Sequence, residues 1–214
     1  MALEATHIKF AIDLKDKYQV SELDKYISGS VYPDSRYITG IDRKLTHNED
    51  SLSVNFNDSD FKKGWACHFL CDNIGNKITA SILPELFVDT GPVGQGTDRW
   101  VVSTAIKIIQ DIKIFSEFNI QPYLEMLNYV ENPKGEYIEK VKQYNQLIQE
   151  IYKNKDELTV KDSKQLLLSF GIENEFIDRI IIKTNTFLKD TILTEKIHSI
   201  YNEMVRLGLK HNID

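Results

Sequence analysis

The sequence predicts an all-α fold, and three observations carry that prediction. Apolar residues recur at spacings of three and four over most of the chain. Strand-like alternation is confined to Leu52, Val54 and Phe56. Capping and breaking residues stand where the periodic runs begin and end. Segment 4–18 reads as a first helix, with His7 among Ile8, Phe10, Ala11 and Leu14, and a short helix follows near 21–28. Residues 29–58 carry Gly29, Pro33, Asp34, Gly40, Asp42 and a run of Asn, Asp and Ser, so they read as loop with at most a short hairpin. Segment 59–82 is helical again, and 84–97, with Pro84, Gly91, Pro92, Gly94 and Gly96, is a second long loop. Loops of this length in a folded domain often carry function.

Over 98–118, Val101, Ala105, Ile108, Ile112 and Phe115 draw one apolar stripe, with Thr97 placed as N-cap and Asp98 in the first turn. Tyr137, Val141, Tyr144, Ile148 and Ile151 repeat the spacing over 136–153. Segment 161–170 ends at Gly171, a C-cap glycine, and 174–188 and 192–207 read as two further helices, the last closing before Gly208. ENPKGE at 131–136 reads as a turn between a helical domain over 1–130 and a C-terminal helical subdomain over 131–214, which can also pack as one domain.

The chain has 214 residues, 42% hydrophobic and 27% charged, the make-up of an ordinary globular protein rather than a disordered one. A net charge of −6 argues against a long nucleic acid as partner. Cys67 and Cys71 lie four apart in a helical run and form no disulfide framework, so they read as small buried hydrophobes. No apolar stretch approaches the roughly 18 residues of a membrane span, and the first residues carry Glu4 and no basic region of a secretory leader. A reduced, cytoplasmic protein is the expectation; its oligomeric state is not legible.

The residues with chemistry are concentrated in the first hundred. His68 and Asp72, four apart in GWACHFLCD, project from one helix face. Imidazole nitrogen and carboxylate oxygen both suit zinc and other first-row divalent metals. Asp34 in YPDSR and His47 in LTH add an oxygen and a nitrogen from the intervening loop, which completes a shell that leaves a position open for water. Two readings remain for the pair: a metal site, or a hydrogen bond on a helix surface. Trp65, Phe69, Leu70 and Ile74 around it favour the metal, because an unpartnered His and Asp among such neighbours are costly. For His7 the alternative is a core histidine bonded to a backbone carbonyl. His198 and His211 read as surface residues.

ATHIKFA, YISGSVYPDSRYITGIDRKLTH and GWACHFLCD together resemble the zinc-dependent phospholipase C and P1 nuclease group, over roughly residues 1–80. The resemblance implies an all-helical domain holding metal through His7, Asp34, His47, His68 and Asp72. The separations of 13 from Asp34 to His47 and 4 from His68 to Asp72 fit together with the order. Secreted members have a Trp amino terminus and further His ligands, whereas here no His follows Asp72 until His198, which points to a mononuclear or dinuclear site with Asp72 bridging toward His7. A second comparison is with HD-type phosphohydrolases, which would order His7, His47, His68, Asp72 and Asp98 as ligands, but Asn48 follows His47 where an Asp should stand.

The reading is therefore a metal-dependent hydrolase of phosphoesters acting on a small phosphorylated substrate. Zinc is the first choice of metal, with manganese, nickel or iron as alternatives. Asp34 serves as ligand, general base or both. Arg36 and Arg43 are expected on the phosphate oxygens, unless they are tied to Asp42 or Glu49, and Arg99 with the Gly91–Gly96 loop offers a further anion contact. The alternatives are an HD-type nucleotide phosphohydrolase and a non-catalytic helical interaction protein that keeps a structural metal.

Overall fold

Two reciprocal glycines bring the helices that carry the candidate site into backbone contact. In the computed structural model, which describes residues 3–48, 52–88, 90–91 and 94–211, α1 (Glu4–Leu14) lies at the centre of a helical assembly. It packs against α2 (Leu23–Val31), α5 (Asp60–Ile82), α6 (Asp98–Glu117) and α11 (Thr191–Lys210). Between α2 and α5 run a 3-10 turn (Tyr32–Ser35) and two single-turn helices, α3 (Arg36–Thr39) and α4 (Arg43–Thr46). After α6 come the short α7 (Gln121–Leu124), then α8 (Ile138–Tyr152), α9 (Val160–Ser169) and α10 (Asn174–Leu188). One apolar core runs from Leu3 to Met204 and takes side chains from both sides of the 131–136 turn.

The contact between α2 and α5 sets the geometry. A Cβ added to Gly64 would stand 2.0 Å from the carbonyl oxygen of Tyr26, and one added to Gly29 would stand 2.1 Å from that of Phe61. Each glycine therefore makes room for the other helix's backbone. The start of the same contact is tied by Asp60. Its carboxylate accepts the backbone N–H of Ser21 (2.9 Å) and of Glu22 (2.6 Å), the Ser21 hydroxyl (2.8 Å) and the Lys63 ammonium (3.0 Å). Burial opposes ionisation of Asp60, but these donors outweigh it and hold the carboxyl at about 2, against an ordinary 3.8.

The caps expected from sequence are in place at two helices. Thr97 accepts the N–H of Trp100, and Gly171 follows α9 at φ 71°. At α9 itself Thr159 and Asp162 form a reciprocal capping box.

Several expectations are corrected. Among the described residues there is no strand: Val54 is buried in the core as a single plug, Phe56 is exposed, and neither has a second strand to pair with. The first loop is largely short helix, because Pro33 opens the 3-10 turn, Gly40 closes α3 at φ 78°, and Asp42 caps α4 by accepting the N–H of Lys44. Tyr137 is 81% exposed and sits before α8, so the buried stripe of that helix starts at Val141. The last helix does not stop at Gly208. That residue is buried inside α11, where a Cβ would come within 2.8 Å of the Phe10 ring on α1.

Gly64→Ala should lower stability by about 2–3 kcal/mol, since overlap with the Tyr26 carbonyl exceeds the roughly 1 kcal/mol gain in helix propensity. In a thermal melt this corresponds to a Tm drop of roughly 4–12 °C. Gly75→Ala meets only the flexible end of Met204 and should melt at or above the parent temperature. Equal melting of the two variants would refute the close-approach argument. The Asp60 contribution is fully present above the unfolded pKa and is lost as pH falls from about 4 to about 2. The stability gap between the parent and Asp60→Asn, measured by denaturant unfolding, should close over that window; a gap constant with pH would contradict it.

Candidate metal centre

Ligands converge on one buried point from α1, from α5 and from the segment between α2 and α5. His7 comes from the central α1, and His68 and Asp72 from successive turns of α5. Asp34 lies in the 3-10 turn directly after α2, and His47 follows α4. All five are buried, Asp34 completely. The structure thus brings together every sequence-predicted ligand, in two overlapping groups that could hold a metal ion: Asp34, His47 and His68, and His7, His68 and Asp72.

The spacings fit a cation better than direct bonds. Tetrahedral bonds of about 2.0–2.2 Å place the ligand atoms of one ion about 3.3–3.6 Å apart. His47 Nε2 lies 3.2 Å from His68 Nε2, 3.5 Å from Asp34 Oδ1 and 3.8 Å from Asp72 Oδ2. His68 Nε2 lies 4.0 Å from Asp34 Oδ2, and His7 Nε2 lies 3.7 Å from Asp72 Oδ1. Asp72 therefore turns one oxygen toward His47 and the other toward His7, the straddling position expected of it.

Hydrogen-bond partners stand behind two of the ligands. The Ser30 carbonyl can only accept, so His68 Nδ1, 2.8 Å away, carries a proton, and the tautomer with that proton alone has a bare Nε2. His47 Nδ1 lies 2.9 Å from the Thr46 hydroxyl. With Nδ1–H donated to that hydroxyl, His47 Nε2 is bare as well, and two lone pairs then face each other across a gap that suits a cation. Without a cation, the other tautomer lets His47 Nε2–H donate to His68.

Two groups have no other satisfaction. Neither oxygen of Asp34 and neither ring nitrogen of His7 has a hydrogen-bond partner, so the backbone-bonded alternative for His7 does not hold. Each buried orphan costs about 1–3 kcal/mol. The His7 ring instead lies flat on His68, centroids 3.7 Å apart. Burial, reinforced by His68, holds His7 well below the ordinary histidine range and pushes His47 down to about 2, so both rings are neutral and ready to ligate. Burial raises the Asp34 carboxyl, while His68 and Arg36 oppose the rise. Burial also works against Asp72, but the surrounding positive charge, Lys107, His7 and His68 included, keeps it well below its ordinary value.

Some contributors have no motif in the sequence. The Ser30 carbonyl and Thr46 hydroxyl act from behind the ligands. Glu4 is fully buried on α1, with the Tyr144 hydroxyl donating to Oε1 at 2.6 Å, Oε2 unpartnered, and its carboxyl raised by burial and by Asp34. Its signal was available as the i, i+3 spacing to His7, which puts both on one face of α1.

The three predicted arginines converge on one cavity of about 460 Å³ beside the cluster. Arg36 lies flat on Tyr37 at 4.0 Å, with Nε 3.8 Å from Asp34 Oδ1. Arg43 makes no ion pair with Asp42, and Glu49 lies outside the described residues, as does Pro92 in the Gly91–Gly96 loop. Arg99 stands over the Phe87 ring at 5.0 Å, and Gly94 and Gln95 from the loop before it line the same cavity. His198 and His211 belong to neither ligand group. Asp98 is exposed and paired with Arg179, so the HD-type order loses its last ligand. Cys67 and Cys71 are buried free thiols whose pKa values burial raises, as small hydrophobes should be. Among the described residues no helix is long and apolar enough to cross a membrane. No family model, curated protein or solved structure matches the chain.

Protein stripped with a chelator and reloaded with zinc at about a hundredfold excess over its Kd should gain roughly 5–10 °C in Tm. His68→Ala should abolish the gain and Cys67→Ala should keep it. An undiminished gain in His68→Ala would remove the cluster as the site.

Proposed function

We propose that the protein is a divalent-metal-dependent phosphoester hydrolase. The observation that carries the reading is Asp34, a fully buried carboxylate with two unpartnered oxygens, ringed by His47, His68 and Arg36 at 3.5–4.0 Å beside a cationic cavity. The donor set of three histidines and two aspartates suits zinc first, with manganese, nickel or iron as alternatives. The resemblance to the zinc-dependent phospholipase C and P1 nuclease group supports the same ligands.

A divalent ion bound there supplies an activated water near neutral pH and polarises a phosphoryl oxygen. The chain's own residues do the rest. Thr46 and Ser30 hold the rings of His47 and His68 in orientation from behind. Asp34 would take the proton of the attacking water as the new P–O bond forms, and solvent in the cavity would supply the proton to the leaving oxygen as the ester bond breaks, with Asp34 later releasing its own proton to solvent. Arg36, at the boundary of cluster and cavity, orients the phosphate with its guanidinium edge while its face is fixed on Tyr37.

One observation favours a second reading, a helical scaffold with a structural metal: none of the five predicted ligands lines the cavity itself. Asp34→Asn separates the two. It should keep its Tm within a few degrees in metal-free buffer and lose at least about a hundredfold in kcat on a phosphomonoester and phosphodiester panel with added zinc. Stoichiometric metal without turnover by the parent protein would favour the scaffold.

A further inference from the structure

The cavity carries more positive charge than a single phosphate group needs. Arg36, Arg43, Arg99 and Lys107 all line it, and among the described residues no Asp or Glu does. In a protein of net charge −6 such a concentration is a local inversion of sign.

The four cations are spread along the cavity. Arg36 and Lys107 stand at the cluster end: Arg36 is 3.8 Å from Asp34, and the charge of Lys107 reaches Asp72. Arg43, on the exposed turn of α4, is felt at the cluster through His47, whereas Arg99 stands in the first turn of α6 over the Phe87 ring. Among the described residues Arg43, Arg99 and Lys107 have no carboxylate within 4.0 Å. Arg99 and Lys107 are eight residues apart on α6, about 12 Å along its axis, so the charge is distributed over a length greater than one phosphate. The stack that holds Arg36 is rigid from below, since Tyr37 lies parallel to Phe170 at 4.5 Å and Phe170 continues onto Tyr144.

We infer that the cavity binds a small organic polyphosphate, its phosphates shared among Arg36, Arg43, Arg99 and Lys107. This rests on the hydrolase reading for the fate of the ligand, but not for its binding. A phosphodiester brings one negative charge to four cations and leaves most of them unmatched. A compound with two or more phosphates engages more of them, by charge-assisted and bidentate hydrogen bonds. A volume of about 460 Å³ holds a molecule of metabolite size and no polymer.

The test is calorimetric titration of the full-length, as-purified protein with inorganic pyrophosphate, inorganic phosphate and dimethyl phosphate. Pyrophosphate should bind at least tenfold tighter than phosphate, and dimethyl phosphate weakest of the three. Arg43→Gln and Arg99→Gln should each weaken pyrophosphate at least tenfold and phosphate by less than threefold; Tm unchanged in both variants confirms that they fold. Equal affinity for phosphate and pyrophosphate, or variants that bind pyrophosphate like the parent, would overturn the inference. Pyrophosphate binding lost in the arginine variants, with no turnover under any metal, would sink the hydrolase reading alone. Hydrolysis of a diester by a protein that does not bind pyrophosphate would sink this inference alone.

Discussion

The close approach of α2 and α5 governs everything that converges at the cluster. Gly29 and Gly64 each face the other helix's backbone, and any side chain at either position would meet a carbonyl oxygen at about 2 Å. Because the helices touch backbone to backbone, the Ser30 carbonyl can reach His68, and the 3-10 turn leaving α2 sets Asp34 against the same imidazole. Asp60 fixes the near end of the contact with four donors. A ligand set of this kind tolerates errors of only a few tenths of an ångström, and rigid helix termini provide that where loops do not.

A cost accompanies the arrangement. The central helix α1 is buried on nearly all sides, yet it contributes Glu4, Thr6 and His7 as well as Ile8, Phe10 and Leu14. Thr6 is satisfied: its N–H and hydroxyl both donate to Asp111, which also accepts from Tyr152. Asp111 is nevertheless pushed up to about 6 by burial. Glu4 is half satisfied and His7 not at all by hydrogen bonds. The polar groups of α1 thus differ in satisfaction, and the one without a hydrogen-bond partner, His7, belongs to a group that could hold a metal ion.

Cluster and cavity are neighbours that share one wall. Arg36 belongs to both, and the aromatic column beneath it, Tyr37, Phe170 and Tyr144, ends in the hydroxyl that holds Glu4. Phe170 follows α9 and Tyr144 lies in α8, so the C-terminal helices are what fix the arginine in place. They serve the candidate site by packing rather than by supplying ligands.

The helices were legible because their signals are local. A stripe at three and four, a Thr97 cap and a terminal Gly171 can be read without knowing any neighbour, and they gave α6, α9 and α10 to within a residue or two. The order and spacing of His7, Asp34, His47, His68 and Asp72 were legible for the same reason. What local signals could not carry were contacts between distant segments. Leu52, Val54 and Phe56 alternate like a strand, but no partner strand exists among the described residues, so Val54 simply plugs the core. Gly208 looks like a helix stop and is a notch for Phe10. Sequence alone determined an all-helical chain with a set of side chains that could hold a metal ion. Only tertiary structure decided that the set meets at one point, that the Ser30 carbonyl stands behind His68, and that Lys107 joins three arginines in one cavity, because each of these depends on a distance across the fold that periodicity does not encode.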